Sequence, residues 1–225
     1  MEISSTVVFA VIFIIALFVY IGRSANEADW GSLLSNIFDG WLRLFCRHYH
    51  RLDREPLNLP EEGGAIIACN HISGLDPLLI LAASNRPIHF MIASDQYYRF
   101  GLTWLFRLGG CIPVDRGGRT DKAFRAALRA LEEGKVVALF PQGGIHHGHA
   151  PPPRLKRGVH KLAQLSGAPV YPLHVSGVKG VGHVVRGVLF RAHARIEHFP
   201  PVDCASLDQH DCLAALAKDM KITHH

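Results

Sequence analysis

The sequence predicts an α/β domain on a mostly parallel central sheet flanked by helices, preceded by a membrane-anchoring helix and an amphipathic interfacial helix. Three observations carry this prediction. From Gly64 onward, short apolar runs alternate with segments of helical period; an uncharged apolar run opens the chain; and a 3.6-residue apolar stripe follows it. The 225 residues suffice for one domain with a full core and a short additional segment.

The opening run, Thr6 to Gly22, carries no charge, and its 17 residues make about 25 Å of helix against the ~30 Å of a bilayer core. A cleaved secretory leader is the rival reading. It calls for Lys or Arg ahead of the run, where only Glu2 stands, and for small residues at a cleavage site, where Arg23 stands. An uncleaved anchor is therefore expected. Arg23, Arg43, Arg47, Arg51 and Arg54 follow the run and none precedes it, which points the body of the chain to the cytoplasm.

Between Asp29 and Leu52, apolar residues fall at Trp30, Leu33, Leu34, Ile37, Phe38, Trp41, Leu42 and Phe45, a continuous helical stripe. Its two tryptophans and the later arginines suit a helix lying in the membrane interface, and packing on the protein's own core is the alternative. Residues 1–54 form the expected anchor segment and 55–225 the expected main domain.

Beyond the Pro-containing stretch Glu55 to Glu62, strands are expected at Gly64–Cys69, Ile88–Ala93, Cys111–Val114, Lys135–Phe140, Val170–Val175 and Leu189–Glu197. Helices are expected at Pro77–Ala83, Gln96–Leu108, Thr120–Glu133, Leu155–Ser166 and Leu207–Met220. The five cysteines, Cys46, Cys69, Cys111, Cys204 and Cys212, are scattered without a CxxC pair. That suggests neither a disulfide framework nor a zinc site, and suits a reducing compartment. A net charge of +5 favours anionic partners without choosing among them.

The strongest local signal is Asn70-His71-Ile72-Ser73-Gly74-Leu75-Asp76-Pro77, directly after an apolar strand. Within one helix, residues five apart lie ~140° apart. Ser73-Gly74 instead permits a turn, Pro77 suits the first position of a new helix, and Asp76 suits its cap, so the carboxylate can fold back toward His71. An imidazole held by a carboxylate is a competent general base. The plainer reading leaves Asp76 as a helix cap and His71 as a polar loop residue.

Asn70-His71-x4-Asp76 resembles the first block of the glycerolipid acyltransferases, the family that includes 1-acylglycerol-3-phosphate acyltransferase. Cys111-Ile112-Pro113-Val114-Asp115-Arg116 is similar to its second block, Phe140-Pro141-Gln142-Gly143-Gly144 to its third and Pro169-Val170-Tyr171-Pro172-Leu173 to its fourth, in the family's order. The resemblance implies that His71 is the general base and Asp76 its orienting partner, with direct acyl transfer, no acyl-enzyme, no cofactor and no metal. Asn70, Arg116, Gln142, Gly143, Gly144 and Lys156 are the expected substrate-binding residues. Arg116 is the candidate phosphate contact, a salt bridge with Asp115 being its alternative. Backbone N–H groups near Gly143 and Gly144 are the candidate oxyanion donors, since glycine lets the chain approach closely. The expected acceptor is a lysophospholipid, by default 1-acylglycerol-3-phosphate giving phosphatidic acid. The expected donor is acyl-CoA or an acyl-carrier protein, and the expected surroundings are a phospholipid bilayer.

The third block departs from the family pattern, with Gln142 for its usual glutamate and Gly144 for its threonine, and this leaves the acceptor head group open. Two basic clusters have the same open choice between solvated face and anion contact: Arg119, Lys122, Arg125 and Arg129, and Arg154, Lys156, Arg157 and Lys161. His146, His147 and His149 read as a loop, because no acidic or cysteine partner stands at ligand spacing. A hydrolase using Ser73 or Cys69 lacks a Gly-x-Ser-x-Gly elbow. A basic membrane-tethered adaptor is the non-catalytic alternative, and nucleic acid is disfavoured because exposed aromatics do not interleave with the basic residues.

Overall fold

The apolar opening run folds as one helix, α1 (Ser5–Ser24), whose 20 residues make about 30 Å, long and apolar enough to cross a membrane. The computed structural model describes residues 5–53, 55–118, 120–146 and 154–222. A second helix, α2 (Leu33–Leu44), turns back along α1 and runs on as a π-helical turn, Phe45–Tyr49. Ser32 starts α2 by accepting a hydrogen bond from Ser35 N at 3.1 Å. Small residues let the two helices touch, since a Cβ on Gly40 would strike the carbonyl of Gly22. Phe18 and Trp41 stack at 4.8 Å beside that contact.

The amphipathic expectation for α2 is corrected in one respect. Its apolar stripe is divided, with Leu33, Leu34 and Phe38 exposed but Ile37 buried and Leu42 and Phe45 packed on the core, and the polar Ser35, Asp39 and Arg43 are buried as well. Arg43 therefore does not face lipid head groups. Its guanidinium donates to Asp39 (2.5 and 3.1 Å), to Glu27 (2.9 Å) and to the carbonyls of Ala82 (3.1 Å) and Ser84 (2.5 Å). Arg47 grips both oxygens of Glu27. Two of the arginines counted as free positive charge after α1 are thus neutralised within the fold.

The sheet runs β3-β2-β4-β1-β5-β6, with β1 (Ala65–Cys69), β2 (Ile88–Ala93), β3 (Ile112–Val114), β4 (Val136–Leu139), β5 (Val170–Ser176) and β6 (Arg195–His198). All neighbours are parallel except β6, which lies antiparallel on β5. β1 is buried throughout, as an apolar strand covered on both faces must be. Ala65, Ile67 and Cys69 face one layer, completed by α3 (Asp76–Ala83) and the end of α2. Ile66 and Ala68 face the other, completed by α6 (Asp121–Glu132), α7 (Gly158–Ser166) and α9 (Gln209–Asp219).

Three sequence expectations change. The Gln96–Leu108 helix is two short ones, α4 (Ser94–Tyr97) and α5 (Thr103–Leu108), because the chain turns at Gly101 with φ +81°. The segment read as a strand from Leu189 contains instead the end of a helix, α8 (Val184–Leu189), and only its last part joins the sheet as β6. Cys204 and Cys212 form a disulfide in the α7/α9 layer. Their pairing comes from α9 folding back on the preceding loop, which spacing alone does not reveal, so cysteine usage no longer argues for a reducing compartment.

Removing one partner of a buried ion pair leaves the others desolvated without compensation. Arg43→Ala is predicted to lower unfolding free energy by about 3–5 kcal/mol, measured by urea denaturation in detergent. The Arg47 hydrogen bond holds the Glu27 carboxyl below its ordinary 4.5. A depressed carboxylate contributes stability that is full above its unfolded value and is lost as pH falls through the folded one. Thermal midpoints are therefore expected to drop as pH goes below about 4.5, and Glu27→Gln to flatten that slope.

Candidate active site

β1 lies in the middle of the sheet between β4 and β5, so the loop leaving its C-terminal end lies where the loops of both neighbours can hold it. His146 N donates to His71 O at 2.7 Å from the β4 side; Gly182 N donates to Ile72 O at 2.8 Å from the β5 side. Gly74 and Gly187 make the second contact possible. A Cβ on Gly74 would strike Val184, and one on Gly187 would press on Ser73.

Within that loop the chain turns and restarts as α3, with Pro77 in its first turn. Asp76 does not cap α3. Its fully buried carboxylate points backward and accepts four hydrogen bonds: His71 Nδ1 at 2.9 Å, Ile72 N at 2.7 Å, Ser73 N at 2.9 Å and Ser73 Oγ at 2.8 Å. A carboxylate accepts here, so the geometry assigns the shared proton to His71 Nδ1, and in the neutral ring the lone pair then falls on Nε2. The imidazole also stacks on Phe140, ring centroids 3.9 Å apart and planes 13° from parallel. Position, tautomer and ring plane are all fixed.

The third block supplies the far wall. Gln142 Oε1 accepts the backbone N–H of His71 at 2.6 Å, leaving the amide NH2 as a donor beside the histidine. Gly143 has φ +82°, and a Cβ there would collide with the Lys156 side chain, which crosses over it. The Gly143 N–H donates to Phe140 O at 2.9 Å, closing the turn. The Gly144 N–H has no backbone partner among the described residues.

The remaining candidates separate. Asn70 is buried and uses both ends of its amide on Val175, donating to its carbonyl (2.9 Å) and accepting its N–H (2.7 Å). It ties β1 to β5. Arg116 is exposed in the turn after β3, at the same sheet edge but three strand spacings, about 14 Å, from β1. It makes no salt bridge with Asp115, whose carboxylate accepts Gly117 N instead. Ser73 is fully buried, with Oγ held between Asp76 and Leu75 N, and burial pushes the Cys69 thiol well above its ordinary value. Neither is an accessible nucleophile. Arg54, Arg119, His147, His149, Pro151–Pro153 and the terminal histidines lie outside the described residues. Sequence reasoning missed Phe140 as the surface under the imidazole and Ser73 as a support for Asp76. Both stand in the quoted motifs, but only the fold reveals their contacts.

Fold and site together define an α/β protein with a histidine–carboxylate pair at the C-terminal edge of a parallel sheet. Residues 52–176 match the family model described as Acyltransferase, and the chain belongs to that family. It is similar to a 1-acyl-sn-glycerol-3-phosphate acyltransferase of Bacillus subtilis, 30% identical over 122 residues, covering 53% of this chain and 59% of that protein. An N-acylphosphatidylethanolamine synthase of Arabidopsis thaliana is 30% identical over 118 residues, covering 48% of this chain and 41% of that protein. The chain thus spans about half the length of these curated relatives. Among solved structures, the 1-acyl-sn-glycerophosphate acyltransferase PlsC of Thermotoga maritima superposes with a TM-score of 0.62 at 18% identity. The match covers 92% of this chain and 86% of that one, a likeness of fold.

Asp76→Ala leaves two loop N–H groups and the Ser73 hydroxyl without their acceptor. It is predicted to cost about 2–4 kcal/mol of stability, read by chemical denaturation, whereas Ser73→Ala is expected to cost about 1 kcal/mol.

Proposed function

We propose that the chain is a membrane-anchored O-acyltransferase that moves a fatty acyl group from a thioester to the hydroxyl of a lysophospholipid. The observation that carries this reading is the fixed His71 imidazole, with Nδ1–H on buried Asp76 and Nε2 left with its lone pair. In the proposed reaction Nε2 takes the proton of the acceptor hydroxyl as that oxygen attacks the thioester carbonyl. The new C–O bond forms, the C–S bond breaks, and the imidazolium returns its proton to the departing sulfur. Asp76 stabilises the transient cation. Gly144 N–H is the candidate donor to the oxyanion, with Lys156 the nearest basic side chain to that turn. Asn70 serves as a positioning residue for the strand end rather than as a direct contact.

Residues 1–54 are read as the anchoring segment and 55–225 as the catalytic domain, which we place on the cytoplasmic side. Arg23, exposed in the last turn of α1, and exposed Arg51 beyond it support that orientation. The donor is read as acyl-CoA or acyl-carrier protein. The default acceptor is 1-acylglycerol-3-phosphate, with Arg116 as its phosphate contact. The Arabidopsis relative's name supports a second reading for the acceptor, an amine-bearing phospholipid, and Gln142 bears on the choice. A glutamate there would still accept the His71 N–H but would bring a charge and lose a donor.

His71→Ala is expected to lower kcat/KM at least about 10³-fold with unchanged thermal midpoint, in an assay that follows both transfer to lysolipid and acyl release to water. Transfer retained by this variant refutes the base assignment, and release to water in place of transfer refutes the acyltransferase reading. In a panel of lysophosphatidic acid, neutral and amine-bearing acceptors with one labelled donor, Gln142→Glu is predicted to shift the preference among head groups. An unchanged ranking removes Gln142 from acceptor selection.

A further inference from the structure

Outside α1, most of the exposed aromatic side chains of the described residues gather with aliphatic ones in two short segments. One is the turn into α5, where Phe100 is fully exposed and Tyr98 and Trp104 are largely so; the other is α8 and its end, with Val185, Leu189 and Phe190. Soluble surfaces scatter such residues singly, and contiguous groups mark contact sites.

The two segments are joined by the helix that follows the anchor. In its middle, Phe38 of α2 meets Trp104, ring centroids 5.9 Å apart. At its end, Tyr49 donates its hydroxyl proton to Leu189 O at 2.6 Å. Exposed Leu33 and Leu34 precede Phe38 in α2, and between Phe38 and Tyr49 the apolar Trp41, Leu42, Leu44 and Phe45 are half-buried. One apolar belt thus has α5 and the start of α2 at one end and α8 at the other, with half-buried apolar residues between them, and it meets α1 where Phe18 stacks on Trp41. Exposed arginines bracket both ends, Arg99 and Arg107 around α5 and Arg186 and Arg191 around α8. None of these four forms a salt bridge with a carboxylate among the described residues. Apolar and aromatic side chains rimmed by unpaired arginines match an anionic bilayer surface, with rings among the upper acyl chains and guanidinium groups at the phosphates.

We propose that α5 and α8 are two further membrane-docking elements of the main domain, their occupant being the phospholipid bilayer itself. Resting on the acyltransferase reading, this assigns them the role of delivering a lipid acceptor from the membrane. Through Gly74, Gly187 and Ser73, α8 touches the His71 loop directly. An acceptor arriving along that edge need not leave the bilayer completely to reach His71.

The test uses the full chain in phosphatidylcholine–phosphatidylglycerol vesicles. Single cysteines are introduced by Phe100→Cys, Phe190→Cys and, on exposed α7 as control, Gln164→Cys, and are labelled with a polarity-sensitive fluorophore. Burial pushes the Cys46 and Cys111 thiols up to about 12 and about 11, so both stay unreactive at neutral pH. Labels at 100 and 190 should shift to the blue, be quenched by brominated acyl chains and be shielded from iodide, while the label at 164 stays open to iodide. Equal iodide access at all three overturns the proposal. So does a blue shift that ignores brominated lipid and follows protein concentration, which assigns the belt to a second copy of the chain.

Paired Phe100→Asp and Phe190→Asp should raise KM for a bilayer-borne acceptor roughly tenfold and leave KM for a short-chain, water-soluble acceptor unchanged. An equal effect on both substrates, or none on either, overturns it. The fluorescence needs no turnover. A chain that docks but transfers no acyl group therefore refutes the acyltransferase reading and leaves the docking surface standing.

Discussion

The buried carboxylate of Asp76 is the constraint on which the rest of the site depends. An ion removed from water must be compensated by hydrogen bonds, and here four donors do so, all within six residues of chain. Satisfying them forces the backbone after β1 to turn back on itself. That turn sets His71 at the sheet edge with one tautomer, and the same anion sits in the first turn of α3, where the helix dipole favours it. One charge organises the loop, starts the helix and orients the imidazole.

The far end of α3 is held by a charge of the opposite sign. Arg43 reaches from α2 to the carbonyls of Ala82 and Ser84 as the helix ends. Those carbonyls lack helical partners of their own and lie where the dipole favours a cation. α3 is thus a short rod with an anion at its start and a cation at its end. The cation belongs to the hairpin that carries α1. Whatever fixes α1 and α2 in place fixes α3, and through Asp76 it fixes His71. The two N-terminal helices are part of the scaffold of the site, not an appendage to it.

Much of this was legible in the sequence. The buried strands before and after the motifs, Gly64–Cys69, Ile88–Ala93 and Lys135–Phe140, stand within a residue or two of their expected limits. Their apolar runs are too short and too branched for helices, and the parallel sheet buries both faces. The His71 and Asp76 pair was legible because Ser73-Gly74 and Pro77 dictate a turn. What stayed hidden was non-local. Arg43 reads as a solvated charge until Glu27, Asp39 and the end of α3 converge on it. Val184–Leu189 has β-branched residues at a helix position, where its contact with Ser73 and Gly74 outweighs propensity. The Cys204–Cys212 bond depends on how α9 folds back. The third block was legible as a motif, but not that Gly143 would spend its N–H on Phe140.

α2 inverts the usual arrangement, and the inversion has a physical reason. A helix in water buries its apolar stripe and leaves its charges outside; α2 buries Asp39 and Arg43 and leaves Leu33, Leu34 and Phe38 exposed. Against a bilayer the ranking of faces reverses, because lipid tails offer apolar side chains as good an environment as a protein core but offer nothing to an unpaired charge. The polar face then needs the protein, and the nearest unsatisfied acceptors are the carbonyls closing α3. Apolar exposure outside and charge pairing inside are therefore two consequences of one orientation of α2. That orientation also sets α3, and with it the His71 loop, against the buried face of the hairpin.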